Sequence, residues 1–116
     1  MNKSVINFGI TFEGAISLAG NYFHDATISK DENEIDRCMT AGACLLSTIE
    51  IPDEPSSACI DLRKPTFPCT KTDKQEIAGS VYNNLMRALS TIDNDEETID
   101  FVVKAKQAYN TMYGLL

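Results

Sequence analysis

Two runs of apolar residues with helical spacing stand almost end to end in the C-terminal part of the chain, and this adjacency constrains the fold more than any other feature. In the first run, Asp73 to Asp93, the residues Ile77, Val81, Leu85, Ala88, Leu89 and Ile92 fall on one stripe of an α-helix. In the second, Asp95 to Leu116, the residues Ile99, Val102, Ala105, Tyr109, Met112 and Leu116 recur at intervals of three and four, with Lys104, Lys106, Gln107 and Asn110 turned mostly elsewhere. Helices joined so closely fold back antiparallel, so 73–93 and 95–115 are expected to form an αα-hairpin. Thr72 followed by Gln75 has the spelling of a capping box at the start of the first of them.

The upstream half extends the helical pattern. From Lys30 to Glu50, Ile35, Cys38, Gly42, Leu45 and Ile49 alternate at three and four, behind a second capping-box spelling, Ser29 and Glu32. Glycine inside a helix costs about 1 kcal/mol relative to alanine, so Gly42 predicts a close approach by a neighbouring element. The segment from Ser4 to His24 carries two overlapping patterns. Ile6, Phe8, Ile10 and Phe12 alternate as in a strand, whereas Val5, Phe12, Ile16, Ala19 and Phe23 fit a helical stripe. Helix over 4–24 is the preferred reading. All four prolines, Pro52, Pro55, Pro65 and Pro68, fall in 51–72, which bars a long helix there and predicts a long loop, with room for a short strand at Ala58 to Leu62. The expectation is an all-α fold: one helical domain over 1–116, built as a four-helix bundle from 4–24, 30–50, 73–93 and 95–115. A chain of this size buries roughly two-thirds of its unfolded surface. Because Ser4 to Phe23 has Glu13 as its single charged residue, burial on more than one face is expected, which points to a homo-oligomer.

Charge is unevenly spread. Residues 31–58 hold seven acids against one Arg, and 93–116 hold five acids against two bases, within a net charge of −7. Acids in a first helical turn complement the exposed amides and the helix dipole, and both clusters begin helices. The functional counterpart is an acidic face, Asp31, Glu32, Glu34 and Asp36, that meets a basic partner. Arg63, Lys64, Lys71 and Lys74 gather around the Pro-rich loop, where neutralising nearby acids within the fold is the simplest account. With no basic stripe interleaved with aromatics and an acidic net charge, direct nucleic-acid binding is not expected.

Chemistry-bearing patterns are sparse. Cys38 and Cys44 are six residues apart and so lie on separated faces of a helix, where they grip no common metal. Cys59 and Cys69 flank the Pro-containing loop and are read as reduced side chains in preference to a bridge. His24, the one histidine, follows Tyr22 and Phe23 near an expected helix end, where an imidazole bonds terminal carbonyls. No Gly-rich phosphate loop, cofactor motif or paired-carboxylate cleft is spelled, so the chain is read as a non-enzyme without metal or cofactor. No apolar run matches a membrane span or a secretory leader, which reads as a cytoplasmic protein.

Two functions follow as expectations. The first is a non-enzymatic interaction protein of adaptor or inhibitor type, self-associating, that binds a protein partner through acidic helix faces or the long loop. The second is a binder of a small anionic ligand at a subunit or helix–helix cleft, using a polar ridge of Tyr82, Asn83, Asn84 and Arg87, whose planar hydrogen-bonding groups stand within about a turn of one another.

Overall fold

The helical patterns translate into four helices in the computed structural model, which describes residues 12–49 and 70–111: α1 (Phe12–Ile28), α2 (Glu32–Thr48), α3 (Lys71–Ser90) and α4 (Asp95–Asn110). Helix is the only regular secondary structure among the described residues, as the stripes require. The candidate strands fall outside them, apart from Phe12, which is helical. Val5, Cys59, Cys69, Arg63, Lys64, Met112, Leu116 and the prolines also lie outside the described residues.

Local capping sets the helix starts, and it differs from the sequence expectation at two of them. α3 begins at a capping box formed by Thr70 and Asp73, with the hydroxyl of Thr70 accepting from the Asp73 amide and the Asp73 carboxylate accepting from the Thr70 amide. Thr72 and Gln75 are therefore not the cap. Gln75 is recruited elsewhere: its Nε2 lies 3.2, 3.2 and 2.9 Å from the carbonyl oxygens of Ala26, Thr27 and Ser29, and so donates to the C-terminal end of α1. α2 is capped by Asp31, whose carboxylate accepts from the Asn33 amide at 3.0 Å. Ser29 stays outside the helix, accepting from the Asp31 amide and donating to the Glu34 carboxylate. α4 starts at Asn94, whose side chain accepts from the Glu97 amide. The buried Thr98 hydroxyl then donates to the Thr91 carbonyl at 2.6 Å and fixes the tight α3–α4 turn.

α1 is the central element, packed along both α2 and α3, while α3 packs along α4. Three contacts in register show that α1 and α3 run antiparallel: Gln75 at the end of α1, the Tyr82 ring on His24, and Met86 over Gly20. α1 accordingly buries a wide stripe, Phe12, Ala15, Ile16, Ala19, Gly20, Phe23 and Ala26. Two helices cover that stripe within one chain, while 4–11, the rest of the low-charge segment, lies outside the described residues.

The predicted close approach at Gly42 is present. A Cβ there would stand 2.6 Å from the Phe23 ring, so only glycine lets the ring lie against α2. Phe23 also meets Tyr109 of α4, edge to face at 6.1 Å between centroids. Gly42, Phe23 and Tyr109 thus form one layer linking α2, α1 and α4. Around it the core gathers Ile16, Met39, Leu46, Val81, Leu85 and Val102, all fully buried. On α2 the buried stripe runs through Ile35, Met39, Gly42, Ala43, Leu46 and Ile49, while Cys38 and Leu45 sit at its half-buried edge.

Two lysines are carried into the interior. Lys74 of α3 is 4% exposed and pairs with Asp36 at 2.9 Å and Glu32 at 3.7 Å, joining the starts of α2 and α3. Lys106 of α4, 2% exposed, donates to the carbonyl of Ile49, the C-cap of α2, at 2.8 Å. Among the described residues no helix is long and apolar enough to cross a membrane.

Candidate functional site

The four acids at 31–36 are largely used by the fold itself. Asp31 caps α2, Glu34 accepts from Ser29, and Glu32 and Asp36 hold Lys74. Neutralisation inside the fold therefore accounts for Lys74, as its sequence neighbourhood suggests. Lys71 acts differently: its ammonium donates to the Lys30 carbonyl at 2.9 Å.

The second acidic cluster is arranged otherwise. Asp93, Glu96, Glu97 and Asp100 are exposed around the α3–α4 turn and the first two turns of α4. Asp100 pairs with Lys104 one turn on, at 2.9 Å, with both side chains more than half exposed. Such a pair is worth little. Asp93, Glu96 and Glu97 make no side-chain ion pair among the described residues.

The polar ridge is divided. Successive helical positions turn by about 100°, so Tyr82 and Asn84 diverge although they are two residues apart. Tyr82 faces α1, its half-buried ring 5.1 Å from that of His24. Asn83 is exposed. Asn84 donates to the Ser80 carbonyl at 3.0 Å and faces α4. Arg87 is exposed and rests on Phe101 of α4, with its guanidinium carbon 6.0 Å from the ring centroid; the Lys104 ammonium is 5.2 Å from the same ring. Cations at this distance gain about 0.5–1 kcal/mol each at exposed sites. The structure thus brings Asn84 and Arg87 to the α4 side, and adds Phe101 and Lys104, which sequence spacing within one helix cannot reveal. The signal that pairs them is the αα-hairpin, since antiparallel folding about Asn94 sets the C-terminal turns of α3 beside the N-terminal turns of α4. An open groove of about 460 Å³ runs between α3 and α4, lined by Glu76, Ile77, Ser80, Asn84, Lys104, Gln107, Ala108 and Thr111.

His24 departs from its expected role. Its imidazole is exposed and lies against Tyr82, and the terminal carbonyls of α1 go to Gln75. The mismatch arises because α1 continues to Ile28, one turn past the histidine. Cys38 and Cys44 are free thiols, the first half-buried and the second exposed. Burial pushes the Cys38 thiol above its ordinary range, and the nearby Asp25 and Glu34 carboxylates push it further, against Arg37. That raises the cost of forming a thiolate. Among the described residues no group of three or more His, Cys, Asp and Glu side chains is placed to hold a metal ion. Comparison of the chain with protein-family models, curated proteins and solved structures gives no match.

Proposed function

We propose that the chain is a non-enzymatic interaction protein of adaptor or inhibitor type, which docks a basic surface of a protein partner against its acidic helix faces. The observation that carries this reading is the sorting of charge by the fold. Among the described residues thirteen carboxylates are all at least partly solvent-facing, whereas two of the seven basic side chains, Lys74 and Lys106, are withdrawn into the interior. The described surface is therefore more acidic than the ratio of acids to bases among these residues implies, and a field of one sign accelerates and orients encounter with the opposite sign.

Within that surface, the region from Asp93 to Asp100 is the better docking face, because Asp31, Glu32, Glu34 and Asp36 already serve caps and the Lys74 pair. Asp95, Glu96 and Glu97 also complement the amides of the first α4 turn. Asp93 lies outside that turn, and Asp100, also outside it, forms only the exposed pair with Lys104. Self-association is not needed for this reading: α1 is covered on two sides by its own chain, and Leu18 and Ile28 are the large apolar side chains left exposed among the described residues. The same reading places the protein in the cytoplasm, a reducing setting in which Cys38 and Cys44 stay free.

The test is affinity capture from a cell extract with the immobilised protein beside a variant carrying Asp93→Asn, Glu96→Gln, Glu97→Gln and Asp100→Asn. A basic protein retained by the parent, released at moderate salt and lost with the variant is the expected result. Equal retention by the two proteins defeats the proposal.

A second reading, an anionic-ligand site in the α3–α4 cleft, is favoured by one specific observation. The Arg87 guanidinium makes no ion pair among the described residues and is held on the Phe101 ring beside Lys104, so its donors are available to a phosphate or carboxylate. Titration with inorganic phosphate tests it: saturable binding lost in Arg87→Ala supports this reading, and binding unchanged in that variant rejects it.

A further inference from the structure

No further inference is drawn: the strongest candidate, the open groove between α3 and α4 lined by Asn84, Lys104 and Gln107, faces solvent with nothing in the structure to show what covers it.

Discussion

Replacing Gly42 by alanine sets two opposing effects against each other, and the structure decides the sign. Alanine gains roughly 1 kcal/mol over glycine in a helix interior. Against this, the new methyl would stand 2.6, 2.9 and 2.9 Å from three atoms of the Phe23 ring. Carbon atoms prefer separations of about 3.5–4.0 Å, so the ring must retreat by roughly 1 Å. It has little room, since Phe23 is fully buried and also packs against Tyr109. Overpacking of this kind costs about 1–3 kcal/mol, and around a fully buried ring the upper half of that range applies. The net expectation for Gly42→Ala is a loss of about 1–2 kcal/mol, or a melting temperature lower by roughly 4–8 °C for a domain of this size. Two other helical glycines supply controls. At Gly79 the nearest atom is Thr27 Cγ2 at 3.8 Å, so Gly79→Ala keeps the helix gain and stabilises by up to about 1 kcal/mol. At Gly20 the close atom is the terminal methyl of Met86 at 2.7 Å, which swings aside easily, so Gly20→Ala lies between the two. Thermal and urea unfolding followed by far-UV circular dichroism give the ranking. In a Phe23→Leu background the cost of Gly42→Ala should shrink, since the contact is then removed. If Gly42→Ala matches or exceeds Gly79→Ala in stability, the packing argument is wrong.

Three further outcomes are expected. Gln75→Leu removes the donor shared among the Ala26, Thr27 and Ser29 carbonyls, costing about 1–2 kcal/mol, and hydrogen exchange should quicken locally around the end of α1; unchanged exchange there contradicts the assigned contact. Thr70→Ala should destabilise by about 1 kcal/mol and Thr72→Ala by less than about 0.5 kcal/mol, and urea midpoints in the opposite order would move the cap back to Thr72. Iodoacetamide at pH 8, followed by peptide mass mapping, should label Cys44 ahead of Cys38. The raised Cys38 pKa leaves less thiolate at that pH, and the gap should narrow as pH rises; faster labelling of Cys38 is the contrary result.

The αα-hairpin and the α3 core were readable from spacing, because Ile77, Val81, Leu85 and Ala88 bury as their periodicity demands. Gly42 was readable for a different reason: a residue that weakens a helix must be compensated by what packs on it. The caps were misread by two residues at both α2 and α3. Ser29 and Thr72 are good capping residues, yet so are Asp31 and Thr70, and the choice depends on distant partners such as the α1 carbonyls that take Gln75. The α2 stripe passes through Met39, Ala43 and Leu46, with Cys38 and Leu45 at its edge. Apolar side chains stand side by side at Cys38–Met39 and at Leu45–Leu46, so a spacing of three and four can be drawn through either set. Likewise the ridge at 82–87 was legible as polar surface, but its division between α1 and α4 follows from contacts with His24 and Phe101, which belong to other helices. Burial of Lys74 and Lys106 left no trace in the sequence, since an exposed and an interior lysine are spelled alike.

The central claim is that the docking face centres on Asp93, Glu96 and Glu97, at the α3–α4 turn and the start of α4. It is tested most directly by amide chemical-shift mapping during titration with an oligolysine peptide at low salt. The account predicts the largest shifts between Asp93 and Asp100, weaker ones at Asp31 to Asp36, and loss of the first set in the Asp93→Asn, Glu96→Gln, Glu97→Gln variant. Largest shifts at residues 31–36, or a map unchanged by that variant, would contradict it.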